Sequence, residues 1–238
     1  MTNRPTLPLF YKQPRLMQAA VDEAMSLRVP THYGFAAGAH AVPLVMGEFA
    51  AACRSIPILF AGEAAAPIAL LGLREGQNLF VHADGRWDED AYIPAYVRRY
   101  PFIFLEDTEA DQLTLCVDEA ADAVVAGTEN PFFVNGAPTD LTLQALDFAR
   151  QYQASHALTT GFVTALLDGD LLTERRADIT LPSGETPSLS GFRVIDEEKL
   201  NRLPVETLAH WRDQGWLAAA YAHLISLNDW SALMRRAG

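Results

Sequence analysis

"PFIFLEDTEADQLTLCVDE", residues 101–119, contains two apolar runs that flank the polar residues TEAD. Short runs rich in Phe, Ile, Leu and Val, separated by a few polar residues, are typical of paired strands. The stretch therefore predicts an antiparallel β-hairpin. A second hairpin is predicted by "DITLPSGETPSLSGFRVID", residues 178–196, with its turn at Ser183-Gly184.

Further strands and helices are predicted on both sides of these hairpins. Apolar runs bounded by Gly, Pro or Asn predict strands at 56–60, 67–73 and 78–83. Helical spacing of apolar residues and helix-terminal signals predict helices at 43–54, 88–99 (starting near Ile93), 139–167, 196–202, 205–213, 216–227 and 229–236.

This order of elements predicts an α+β fold. We expect a largely antiparallel sheet built from hairpins and covered by helices, including an aromatic-rich C-terminal helical segment. We expect a single domain over residues 1–238, in which 1–15 is an N-terminal arm and 126–139 is a surface loop.

Composition narrows the class of protein. The chain has 238 residues, 50% of them hydrophobic, and a formal net charge of -12. An acidic chain without a basic cluster disfavours binding to nucleic acid and to anionic membranes. No apolar run reaches the roughly 18 residues of a membrane span, and the N-terminus lacks the apolar core of a signal peptide. With only two distant cysteines, Cys53 and Cys116, we expect a soluble cytoplasmic protein with reduced thiols.

The order of motifs resembles the SapC family of bacterial proteins. The similar segments are "FAAGAHAVPLVMGEFAAACRSIPILF", "APIALLGLREGQNLFVHADGRWDEDAYIPAYVRRYPFIF", "LTLCVDEAA", "LSGFRVIDEEKLNRLP" and "LAAAYAHLISLNDWSAL", which extend from about Leu7 to Arg236. The resemblance implies association with surface-layer proteins. Through the uptake and modification genes that often neighbour family members, it also implies a soluble partner protein or an enzyme in uptake or modification. It implies no catalytic residues.

Arg98 and Arg99 form a basic doublet beside Trp87 and Tyr100. They can be cations in the last turn of a helix, where they complement the helix dipole. Alternatively, one guanidinium faces a cleft and binds a carboxylate or phosphate in bidentate fashion. Consecutive helical residues diverge by about 100°, so at most one arginine is expected to face the cleft. On the second reading, Trp87, Arg98, Arg99 and Tyr100 bind a ligand.

Other candidate sites are weaker. His82 and Asp84 have the His-x-acid spacing of some iron sites, but a third ligand is not indicated, and an ordinary strand face places two such residues together as well. No serine lies in a Gly-x-Ser-x-Gly motif, and both cysteines fit packed positions. We therefore expect no cofactor and no metal.

The C-terminal helices are rich in aromatic residues, among them Trp211, Trp216, Tyr221 and Trp230. They either cover the sheet or leave a surface that binds a partner, with Arg235 and Arg236 at its rim. The leading hypothesis is a binding or accessory protein that recognises a partner protein or a small ligand. The alternatives are an enzyme acting on a small anionic substrate and a structural protein of the surface layer. The sequence does not indicate the oligomeric state.

Overall fold

The structure is a computed structural model that describes residues 7–28, 32–107, 112–179, 184–186 and 188–237. Its strands are β1 (Pro14–Leu16), β2 (Met25–Leu27), β3 (Ala41–Pro43), β4 (Ile58–Ala61), β5 (Ala66–Leu70), β6 (Phe102–Asp107), β7 (Gln112–Asp118), β8 (Val124–Ala126), β9 (Phe133–Val134), β10 (Ala137–Pro138), β11 (Leu172–Asp178) and β12 (Ser188–Ile195). Its α-helices are α1 (Ala19–Asp22), α2 (Phe49–Ala52), α3 (Ala95–Arg98), α4 (Asp140–Asp168), α5 (Glu197–Asn201), α6 (Val205–Asp213), α7 (Trp216–Ser226) and α8 (Trp230–Arg236).

The predicted α+β class is confirmed, and every strand pairing among the described residues is antiparallel. Internal contacts group the residues into two compact units. Unit 1 contains the described residues of Met1–Thr31 and Arg98–Gln153, and unit 2 contains those of His32–Val97 and Ala154–Gly238. Each unit is therefore assembled from segments that are distant in sequence.

Unit 1 is built around the predicted hairpin of β6 and β7. In this hairpin Phe102 pairs with Val117, and β1 adds to the other edge of β7. The connection predicted over 108–111 lies outside the described residues. Apolar side chains from β2, β6, β7, the β9 hairpin and the start of α4 share one core, which contains Leu27, Phe102, Val117, Phe133 and Ala149.

Two stretches of unit 1 have more structure than the sequence predicts. Pro14 and Arg15, assigned to the N-terminal arm, belong to β1. Within the loop predicted over 126–139, β9 and β10 form a small hairpin. Its turn residues Asn135 and Gly136 have φ angles of 51° and 74°, which are typical of the tightest hairpin turns.

Unit 2 contains a five-stranded sheet in the order β11-β12-β4-β5-β3. A second hairpin is present as β11 and β12, and its second strand lies within the predicted stretch 178–196. Its first strand lies upstream of the prediction, since β11 ends at Asp178, and Ser183 of the predicted turn lies outside the described residues. The C-terminal helices cover the sheet as predicted. The His223 ring of α7 lies 5.0 Å from the Phe60 ring of β4, and the Trp230 ring of α8 lies 5.9 Å from that of Phe192 in β12.

The predicted helix 43–54 is wrong over its first part. Val42 and Pro43 pair with β5 as part of β3, and the helical residues are a 3₁₀ turn at Met46–Glu48 followed by α2. Strand pairing with a distant segment overrides the local helical spacing. The buried carboxylate of Glu48 then accepts hydrogen bonds from the backbone N of Val45 (3.1 Å) and the hydroxyl of Tyr92 (2.9 Å).

The segment between β5 and β6 is also less regular than predicted. In place of a strand at 78–83, the only strand-like pairing among its described residues is the bridge between Val81 and Trp87. The helix predicted over 88–99 is only α3, because the Asp88 carboxylate accepts a hydrogen bond from the Asp90 backbone N (3.1 Å) and thereby forms a turn. By contrast, α4 continues unbroken through Gly161, and each end of the four C-terminal helices lies within one residue of its predicted bound.

His223 should make the stability of the protein depend on pH. It is fully buried, its Nε2 accepts a hydrogen bond from the Ile195 backbone N (3.0 Å), and burial lowers its pKa from 6.5 to about 4, against a smaller raising effect of the Ile58 backbone. The unfolded chain therefore binds a proton below pH 6.5 that the folded chain does not bind. The full contribution of His223 to the free energy of unfolding should be present above pH 6.5. The free energy of unfolding should fall by about 2 kcal/mol on acidification to pH 5.

Urea unfolding of the wild type and of His223→Gln at pH 7 and pH 5 measures this effect. The glutamine oxygen can still accept the Ile195 hydrogen bond but does not titrate. The free energy of unfolding of this variant should therefore fall much less between pH 7 and pH 5 than that of the wild type. His156→Gln is the matched control, since His156 is exposed on α4. An unchanged decrease in His223→Gln would contradict the assignment.

Candidate functional site

A cavity of about 190 Å³ lies in unit 1, between the start of β6 and the first half of α4. Its walls include the side chains of Arg98, Arg99, Phe102, Leu141, Gln144 and Phe148. The described residues that line it include no carboxylate. It is therefore an apolar space with two positive charges at its wall.

Both arginines contact aromatic rings. The Arg98 Cζ lies 5.3 Å from the ring centroid of Phe148 in α4, and the Arg99 Cζ lies 4.7 Å from that of Tyr152 and 5.6 Å from that of Tyr11. A guanidinium within about 6 Å of a ring centroid is attracted by the negative face of the ring. These contacts help to hold the two cations beside the cavity.

Helical rotation between consecutive residues predicts that at most one arginine faces a cleft, whereas both line the cavity wall. The reason is that α3 ends at Arg98, so Arg99 already lies in the turn before β6 and the helical rotation of about 100° does not separate them. Arg98 is exposed and Arg99 is half-buried.

Tyr100 supports the cavity from outside. Its ring packs edge-on against Tyr11 at 5.4 Å, and its hydroxyl lies 3.5 Å from the Asp118 carboxylate. Burial, and then the negative charge of Asp118, raise the pKa of Tyr100 to about 12. The Tyr11 hydroxyl donates to the Phe102 carbonyl at 2.6 Å. Tyr100 and Asp118 thus help to hold Tyr11 in contact with Arg99.

Trp87 lies in unit 2, where it is buried. It stacks on Phe80 at 5.9 Å and packs edge-on against Tyr33 at 5.7 Å. The Cζ of Arg236 lies 4.7 Å from the Phe80 ring, and its guanidinium forms an ion pair with Asp88. The structure therefore accounts for Trp87 and Arg236 by packing within unit 2.

His82 and Asp84 lie at a tight turn. The Asp84 carboxylate accepts hydrogen bonds from the backbone N of Arg86 (3.0 Å) and from its Nε (2.7 Å), and these two bonds lower the pKa of Asp84. Across the part of the chain that the structure describes, no group of three His, Cys, Asp or Glu side chains is arranged to hold a metal ion.

The four predicted partner-binding aromatics differ in their surroundings. Trp211 is buried against Phe162 and Trp216, whereas Tyr221 is 42% exposed and Trp216 is half-buried. Trp230 lines a groove of about 760 Å³ in unit 2 together with Phe192, Leu224 and Leu227. Core packing thus explains the position of Trp211. Trp230 covers the sheet through its contact with Phe192 and also lines the groove.

The two α4 rings that contact the arginines, Phe148 and Tyr152, are absent from the predicted site. They are spaced i, i+4 on one helix face, a signal that the sequence does contain. Nothing local indicates that this face meets an arginine doublet some 50 residues upstream.

Asp118 is a buried carboxylate on which this arrangement depends. It accepts hydrogen bonds from the backbone N of Lys12 (2.9 Å), Gln13 (2.8 Å) and Ala120 (3.2 Å). In Asp118→Asn the amide nitrogen would face a donor, so the free energy of unfolding should fall by about 2–4 kcal/mol. Asp122→Asn is the control at an exposed acid of the same loop. Urea unfolding measures both, and equal stability of the two variants would contradict the role of Asp118.

No helix among the described residues combines the length and the hydrophobicity required to cross a lipid bilayer. No curated protein and no solved structure matches the chain. The model of one protein family, SapC, matches residues 23–233, which include both arginines, the whole of α4 and most of each unit. The match begins later than the resemblance predicts, so β1 and Tyr11 lie outside it. The chain therefore belongs to the SapC family.

Proposed function

We propose that this SapC-family chain is a binding or accessory protein that holds a small anionic ligand in the unit 1 cavity. The observation that carries the proposal is that Arg98 and Arg99 line one cavity. Each guanidinium carries five N–H donors in a planar fork that matches a carboxylate or a phosphate.

The electrostatics of the cavity support an anion. The cavity wall carries two guanidinium groups in a chain whose net charge is -12. Charge attraction is stronger beside apolar walls than in water, because the local dielectric constant is lower. The attraction of a guanidinium to an aromatic ring is not a hydrogen bond, so the contacts with Phe148 and Tyr152 are compatible with ligand binding.

Binding accounts for the cavity better than catalysis does. The titratable side chains that line it, among the residues described, are the two arginines. A guanidinium stays protonated and cannot serve as a general base. It can still orient and neutralise an anion, which is what a carrier or accessory protein requires.

The proposal includes a cytoplasmic location and a role in uptake or modification. The chain has only two cysteines, Cys53 and Cys116, which lie far apart in the sequence, and this sparse use of cysteine supports a reducing compartment. The groove and the exposed Tyr221 of unit 2 are not needed for ligand binding at the arginines.

Charge-neutral variants test the function. In side-chain ¹H–¹⁵N NMR spectra, titration with sodium acetate and with sodium phosphate should shift the Nε–H signals of Arg98 and Arg99. Arg99→Gln should weaken binding of the anion by at least about tenfold, since a charge-assisted hydrogen bond contributes about 1.5–3 kcal/mol.

Arg150→Gln is the matched control, because Arg150 is an exposed arginine on α4 outside the cavity wall. It should bind anions as the wild type does. If no anion shifts the Arg98 and Arg99 signals, or if Arg150→Gln and Arg99→Gln have the same effect, the proposed function is wrong.

A further inference from the structure

The apolar walls of the unit 1 cavity restrict the chemical class of the ligand further than the two arginine charges do. Besides the two arginines and Gln144, the described lining consists of Phe102, Leu141, Phe148 and two alanines, Ala145 and Ala149. Phe102 and Ala149 are 8% and 9% exposed, so the apolar side belongs to the core of unit 1. Arg98, by contrast, is exposed. The cavity therefore has an exposed cation on its outer side, a half-buried cation in its wall and an apolar inner side.

This polarity favours a carboxylate over a phosphate. Phosphate carries oxygens on all sides, and those that face Phe102, Leu141 and Ala149 would lose water without gaining a donor. A carboxylate carries both oxygens at one end, where a guanidinium can bind them in bidentate fashion. The remainder of a carboxylate ligand can be entirely apolar and can replace water along the inner walls.

The size and the shape of the cavity indicate a compact body. Its volume of about 190 Å³ is below the roughly 300–1,000 Å³ that is typical of sites for drug-sized molecules. That space suits a single ring or a short branched chain. Aromatic walls at Phe102 and Phe148 favour a ring, because aromatic pairs gain stabilisation beyond the burial of area.

We propose that the unit 1 cavity selects a compact monocarboxylate with an apolar body, with arylcarboxylates as the best-fitting class. The inference rests on the proposed function and specifies its ligand. The carboxylate lies against Arg98 and Arg99, and the ring lies toward Phe102 and Ala145.

Isothermal titration of the full chain with four probes tests this selection without any variant. Benzoate has the charge and the ring, benzamide has the ring without the charge, acetate has the charge without the ring, and phosphate has neither the ring nor the planar group. Benzoate should bind at least about tenfold more tightly than each of the other three.

Two variants separate the contribution of the charge from that of the apolar ring. Arg99→Gln should weaken benzoate and acetate alike, because both use the charge. Ala145→Leu fills the inner side of the cavity and should weaken benzoate about tenfold while leaving acetate unchanged. Circular dichroism at the titration temperature establishes whether each variant is folded. If Ala145→Leu is not folded, the comparison of the four probes on the wild type tests the ligand class by itself.

The two levels of the proposal fail differently. Arginine-dependent binding in which acetate or phosphate equals benzoate would overturn the ligand class and leave the anion-binding function in place. Benzamide binding as tightly as benzoate would also overturn it, because the charge would then be irrelevant. An absence of arginine-dependent binding for every anion would overturn the proposed function itself.

Discussion

The arrangement of unit 1 depends on how two guanidinium charges are held beside an apolar wall. A cation that loses water at such a wall is unfavourable unless other interactions compensate. Here Phe148 contacts Arg98, and Tyr152 and Tyr11 contact Arg99, at ring distances where the attraction of a cation to an aromatic face is appreciable. These contacts help to hold both charges at the cavity wall.

The aromatic contacts depend in turn on residues that never touch the cavity. Asp118 binds the backbone of Lys12 and Gln13 and so fixes the segment that carries Tyr11. The Tyr11 hydroxyl then reaches the carbonyl of Phe102, at the first residue of β6. A buried carboxylate at the end of β7 therefore positions a ring that contacts Arg99. This chain of contacts begins in residues that precede the part of the sequence matched by the SapC model.

Local sequence signals predicted the elements whose stability is local or whose partners are adjacent. Clear periodicity and nearby turn residues mark the hairpin of β6 and β7, the strand β12, the long helix α4 and the four C-terminal helices. At Val42 a distant segment decides the backbone, since this residue has helical spacing with Val45 and Phe49 but pairs with Ala69 in a sheet. At 88–90 a local competitor decides it, since the Asp88 carboxylate binds the Asp90 backbone N and forms a turn instead of a helix start.

The same limit applies to the candidate site. The arginine doublet is visible in the sequence, but its aromatic partners come from a helix some 50 residues downstream and from the N-terminal segment. Trp87 was grouped with the arginines because it is near them in sequence, yet its contacts are with Phe80 and Tyr33 in unit 2. Proximity along the chain therefore identifies the two arginines of the candidate site but not the aromatic side chains that contact them.

A crystal structure of the full chain with 4-bromobenzoate, recorded at the bromine absorption edge, tests the central claim most directly. The account predicts one anomalous peak inside the unit 1 cavity, near Phe102 and Ala145, with the carboxylate directed toward Arg98 and Arg99. A peak elsewhere, or a ligand whose carboxylate points away from both guanidiniums, would contradict it.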